Sequence, residues 1–201
     1  MPEAPLAVHA WPDGLAQALA DLRRVGMTVL SVPTLLTAHR TDARHAIRHA
    51  VQHTLAAFLD GPAASIALLS RPGQAPQVAA PGTGPVHLSI SHLPSFSVAA
   101  ISLQGAVGVD AMAIDAQSLP DWADVARDYL GPLAAKALQQ TPAHDRPAAF
   151  AHAWTALEAC LKCLGLGLTE WTPGLAARLQ ACTVISLTLP AGSCGDRKSV
   201  V

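Results

Sequence analysis

Apolar and polar positions along this 201-residue chain fall into two periods, and the period changes where the elements change. Residues 26–32 (GMTVLSV) are a short β-rich apolar run and predict a strand. From Thr41 the spacing becomes helical: Ile47, Val51, Thr54, Leu55 and Phe58 recur three and four residues apart. Thr41 or Asp42 offers the N-cap of that helix and Gly61-Pro62 its end. SIALLS (65–70) predicts a second strand, and the Pro/Gly-rich stretch 72–85 a loop. VHLSISH (86–92) alternates, FSVAAIS (96–102) follows after a short turn, and AVGVDAMAI (106–114) supplies a third run. Three strands with such short links predict an antiparallel meander.

Beyond them the period is again helical, over 122–138, followed by a polar loop ending near Arg146. The longest helix is predicted over 147–164 and stops at Gly165-Leu166-Gly167. TVISLTLP (183–190) predicts a last strand. The order of elements is that of an α+β protein in two halves, 1–104 and 105–195, each with one long helix and some strands.

Composition narrows the function classes. With 51% hydrophobic and 13% charged residues the chain is of globular type. Its formal net charge of −1 argues against a general nucleic-acid binder, so an anionic ligand has to meet a local cluster of positive charge. No apolar run reaches the roughly 18 residues of a membrane span, and residues 1–12 lack the cationic start and apolar core of a signal peptide. Cys160, Cys163, Cys182 and Cys194 without such a signal point to reduced thiols in a cytoplasm. Residues 196–201 (DRKSVV) read as the translation of a common sequencing adapter. The expectation is therefore a non-native tail, with the natural chain continuing past Gly195.

Three segments carry candidate chemistry. On the long second-half helix, Trp154, Leu157, Leu161 and Leu164 form an apolar stripe that Leu168 extends, while Glu158 and Lys162 share a neighbouring face. At that spacing they make either a surface ion pair, contributing a few tenths of a kcal/mol, or a functional pair. Asp110 lies inside the apolar run Val107-Gly108-Val109, where an unpartnered carboxylate is costly to bury. It is a turn residue at a strand end or an oxygen ligand of the kind that suits Mg²⁺. Ser91 and His92 close a strand and offer hydrogen bonds to a phosphate, the histidine most strongly as a cation.

Together these segments resemble the 4'-phosphopantetheinyl transferase superfamily. That family shows a Ser-His pair on a strand, a Gly-[Ile/Val]-Asp strand, and a helix opening W-[ST]-x-K-E-[AS]-x-x-K and closing G-x-G-L. Here they stand as Ser91-His92, Gly108-Val109-Asp110, Trp154-Thr155-Ala156-Leu157-Glu158-Ala159-Cys160-Leu161-Lys162, and Gly165-Leu166-Gly167-Leu168. An arginine-bearing helix (Arg44, Arg48) and a G-K-P-like loop (71–76, beginning at Arg71) lie upstream. The resemblance covers roughly residues 40–192.

The resemblance implies an α+β fold of two similar halves related by a pseudo-twofold, each a small antiparallel sheet on a long helix, with coenzyme A in the cleft between them. It implies Mg²⁺ held by Asp110 and Glu158, and phosphates bound by Ser91, His92 and Lys162 with a subset of Arg44, Arg48 and Arg71. It further implies a holo-[acyl-carrier-protein] synthase reaction: a carrier-protein serine attacks the β-phosphate and 3',5'-ADP leaves. It makes Glu158, directly or through a metal-bound water, the candidate base, with Asp110 and Lys162 completing the catalytic set. The implied partners are an acyl or peptidyl carrier protein and coenzyme A, with neither nucleic acid nor membrane, and a monomer suffices. Met112 stands where the family often has a second carboxylate, and Leu157 where a lysine usually precedes the glutamate. The alternative is therefore a member that binds coenzyme A or a carrier without turnover.

Two further patterns invite metal chemistry or, for the cysteines, a redox reading. Cys160 and Cys163 form a CxxC, but on an ideal helix they point away from Glu158 and Lys162, and no second CxxC accompanies them. They read as buried packing. His45, His49 and His53 recur every four residues, with successive turns about 5.4 Å apart, and read with Arg44 and Arg48 as a polar, weakly basic face.

Overall fold

A computed structural model describes residues 6–34, 39–71, 74–113, 121–189 and 198–200. In chain order the first half holds β1 (Val8–Ala10), α1 (Leu15–Val25), β2 (Met27–Pro33), α2 (Arg40–Phe58), β3 (Ala67–Leu69), β4 (Gln77–Ala79), β5 (His87–His92) and β6 (Phe96–Ser102). The second half holds β7 (Ala111–Ala113), α3 (Trp122–Val125), α4 (Pro132–Gln140), α5 (Arg146–Cys163), α6 (Pro173–Leu179) and β8 (Lys198–Val200).

Six strands form one sheet in the order β1-β2-β6-β5-β4-β3, antiparallel except for the parallel pair β1-β2. β6 sits at its centre and is buried at every position. Alternation explains how one strand serves two cores. Ala99 and Ile101 join Leu30, Leu88, Ile47, Val51 and Leu55 in a core beneath α1 and α2. Val98 and Ala100 face the other way and pack with Val29, Val109 and Ala111. α1 delivers the chain to β2 through Gly26, whose φ of 65° closes the helix in the left-handed conformation that glycine adopts without strain.

Several expectations are corrected. α2 begins at Arg40, capped by His39, with the Asp42 carboxylate accepting from the His39 backbone N–H at 3.1 Å; Thr41 and Asp42 therefore lie inside the first turn. The 72–85 stretch is not all loop, since β4 forms there against β3 and β5. The run 106–114 does not extend the meander: only Ala111–Ala113 forms a ladder, and its partner is Lys198–Val200. That partner lies within residues 196–201, the stretch expected to be a non-native tail. The helix foreseen over 122–138 is broken at Gly131, with a π-helical turn from Ala126 to Leu130 between α3 and α4. Residues 183–189 form no strand beyond a single bridge at Leu187, and Val184 and Ile185 stay exposed. Leu168 lies past the end of α5, an alternative the sequence left open, and is exposed.

The mixed α+β class is thus observed, with the described strands divided unequally, six against two. No helix among the described residues is long and apolar enough to cross a membrane.

Candidate active site

β5 carries Leu88 toward the core under α2, so its alternate residues Ser89 and Ser91 face the opposite side of the sheet. The segment 107–111 runs along that side. It is fastened to β5 by hydroxyls: Ser89 Oγ accepts from the Val109 N–H at 3.0 Å, and Ser91 Oγ accepts from the Ala111 N–H at 3.3 Å. Ser91 in turn donates its O–H to Asp110 Oδ1 at 2.8 Å. The carboxylate is 8% exposed and therefore needs these partners.

From the other side α5 closes on the same segment. Gly108 makes that approach possible, since a Cβ there would lie 1.8 Å from the Ala159 carbonyl oxygen. The contact brings Lys162 onto the segment, where its ammonium donates to the Val109 carbonyl at 3.1 Å and to Asp110 Oδ1 at 2.6 Å. The ion pair of Lys162 is thus with Asp110, 52 residues away, and not with Glu158 four residues back.

Glu158, one turn before Lys162, is half-buried. Its carboxyl is pushed above the usual 4.5, first by burial and then by the charge of Asp110, with Lys162 opposing. The Glu158 carboxylate, near enough to Asp110 to feel its charge, adds a second hard oxygen donor of the kind that suits a cation. The pair suits Mg²⁺, which takes few protein carboxylates and keeps waters and substrate oxygens. Among the described residues no group of three or more His, Cys, Asp or Glu is placed to hold a metal.

His92 ends β5 with its Nδ1 2.7 Å from Ser97 Oγ. Burial, then the charges of Arg44, Arg40 and Lys162, hold its pKa below 6.5. The neutral ring is therefore favoured in the free chain, contrary to the cationic form foreseen; a bound anion would reverse that preference. The same field reports that Arg40 and Arg44, exposed on the first turns of α2, lie toward this site. Arg48 does not join them: its guanidinium is committed to the Leu68 carbonyl and to Ser70 Oγ (2.7 Å), stapling α2 to β3. Arg71 is exposed just after β3, and Pro72 and Gly73 of its loop lie outside the described residues.

Lys162 also borders a cleft of about 560 Å³, with Gln77, His87, Ala106, Val107 and Gly165 along its walls. Lys162 thus links Asp110 to the edge of a cleft, with the Glu158 carboxylate near enough to feel the charge of Asp110. Residues 106–191 match the 4'-phosphopantetheinyl transferase superfamily. No curated protein matches the chain. The matched span holds Asp110, Glu158 and Lys162 and supports a transferase, whereas Ser91, His92 and the arginines lie before it and stand on the structure alone.

The positions where the chain departs from the superfamily pattern are both in apolar surroundings. Leu157 is buried with Leu161 and Leu175. Met112 packs against the cluster of Ala126, Leu138 and Phe150. Sequence reasoning passed over Ser89 and Arg40. The alternation that placed Ser91 on one face of its strand also placed Ser89 there, so that signal was available; the approach of Arg40 depends on the tertiary crossing of α2.

Proposed function

We propose that this chain is a 4'-phosphopantetheinyl transferase of the holo-[acyl-carrier-protein] synthase type, transferring the arm of coenzyme A to a carrier-protein serine. The observation that carries it is the junction of Asp110 with Lys162, with Glu158 poised above its ordinary pKa one helical turn away. Ser91 and Lys162 both bond to Oδ1 of Asp110, and Asp110 together with Glu158 would hold the cation. When bound, Mg²⁺ supplies charge neutralisation at the pyrophosphate.

The residues do the rest. Lys162 sits at the edge of the cleft to receive a phosphate oxygen, with His92 and Arg44 adding positive charge and Arg71 within the same half. Glu158 takes the proton of the attacking serine hydroxyl, a task for which a pKa raised toward the working pH is suited. The serine oxygen bonds to the pantetheine-bearing phosphorus, the bond to the second phosphate breaks, and 3',5'-ADP departs. Positioning and charge compensation supply most of the acceleration in such transfers. The cytoplasm and a monomeric state belong to the same reading.

The test is release of 3',5'-ADP, followed by chromatography, from coenzyme A plus apo carrier protein with and without Mg²⁺. Release that needs all three components supports the proposal. Calorimetric binding of coenzyme A with no release would instead identify a binding member of the superfamily and overturn the catalytic reading.

A further inference from the structure

Three of the chain's four cysteines converge on one place. Cys160 and Cys163 stand one turn apart on α5, and Cys182 follows α6. All three line an apolar cavity of about 440 Å³ between α5, the Val107–Val109 segment and residues 181–187. Cys160 is buried, while Cys163 and Cys182 are partly open to solvent. The Cys182 thiol faces the same cavity as both α5 thiols and is near enough to raise their pKa values. Cys163 Sγ also donates to the Ala106 carbonyl at 3.4 Å, on the segment that leads to Asp110.

Packing explains each cysteine singly, because a buried thiol behaves as a small hydrophobe. It does not call for three sulfurs from two separated stretches of chain to meet. Among the described residues they are not placed to hold a metal. What the arrangement does prepare is sulfur–sulfur bonding, in which one thiol has two neighbours to choose from.

We propose that Cys182 is an oxidation-sensitive thiol that forms a disulfide with α5, with Cys163 as its first partner because it is the more exposed of the two. The oxidant is hydrogen peroxide. The Cys182 thiolate attacks a peroxide oxygen, giving a sulfenic acid and hydroxide. The Cys163 sulfur then attacks the sulfenic sulfur, the S–S bond forms, and the sulfenic oxygen leaves as water. Two thiols and one peroxide thus yield one disulfide and two waters. The bond ties the stretch after α6 to the helix turn that bears Lys162, and it is independent of the transferase reading.

The full chain is treated with hydrogen peroxide, its free thiols are alkylated, and trypsin digestion is followed by mass spectrometry. Trypsin separates Cys160 (ending at Lys162) from Cys163 (163–178) and Cys182 (179–197, which also holds Cys194). The expected product is 179–197 joined to 163–178, or to the peptide bearing Cys160, two hydrogens lighter than the separate peptides. Cys194→Ser keeps the link and Cys182→Ser abolishes it. Complete alkylation of the α5 cysteines after peroxide, or a link lost in Cys194→Ser, overturns the proposal. The Cys194→Ser arm decides even where Cys182→Ser fails to fold.

Discussion

The two long helices, α2 with 19 residues and α5 with 18, use their charged side chains differently. α2 lays Ile47, Val51 and Leu55 on the sheet, and Arg48 at its flank reaches β3 as a staple. α5 presents small residues instead. Ala159 lets Gly108 touch its backbone, and that close approach puts Lys162 on Asp110 and Glu158 beside them. A charged residue beside ordinary sheet packing finds a structural partner. Beside a contact tight enough to draw two backbones together, charges of like sign are held near one another at a cost to stability, and there the proposed chemistry lies.

The largest expected effect comes from removing the charge held at such a cost. Glu158→Gln should lower 3',5'-ADP release roughly 100- to 10,000-fold, the range for loss of a general base. It should also raise Tm near pH 8. A carboxyl whose folded pKa is raised loses stability as pH climbs from 4.5 through the higher folded value, and glutamine escapes that loss. In the native chain the acid limb of the proposed transfer rate should accordingly lie above the ordinary carboxylate pKa. Unchanged release by Glu158→Gln would erase the contrast between the helices.

Next in size is the backbone contact. Gly108→Ala has to move α5 away from Ala159 and should cost about 3 kcal/mol in urea unfolding. A midpoint equal to that of the native chain would show that the approach is loose.

The two arginines of α2 sharpen the comparison within one helix. Arg48→Ala should destabilise by about 1 kcal/mol through its lost bonds to Ser70 and Leu68. Arg44→Ala, exposed and directed toward His92, should leave Tm unchanged and raise KM for coenzyme A. Reversed outcomes would exchange their roles.

The smallest effect concerns His92, which is half-buried. A histidine with a lowered folded pKa contributes stability at neutral pH that is lost as pH falls from 6.5 through the folded value. His92→Gln should flatten the thermal stability profile over that window, as followed by melting at stepped pH. An unaltered slope would assign it to other groups.

Where burial follows local period, the sequence was a good guide. β6 occupies the run foreseen over 96–102, α5 lies within a residue of its expected bounds, and β2 covers the 26–32 run displaced by one. Elements too short for a period were missed, β1 with 3 residues and β4 with 3 among them, because neighbours rather than composition determine them. Residues 106–114 failed for a different reason. Their apolar alternation is real, yet serine hydroxyls of β5 take the place of a backbone ladder, which no period can reveal. At the site, Asp110 was conspicuous as a lone carboxylate in an apolar run, and the partner that neutralises it, Lys162, lies 52 residues onward, where only tertiary packing joins them.

The most direct test is the intact mass of an apo carrier protein after incubation with this chain, coenzyme A and Mg²⁺, beside the same mixture containing Glu158→Gln. The account predicts that the native chain adds one phosphopantetheine to the carrier and that the variant adds almost none. A carrier unchanged by the native chain, in conditions where a known transferase modifies it, would contradict the account.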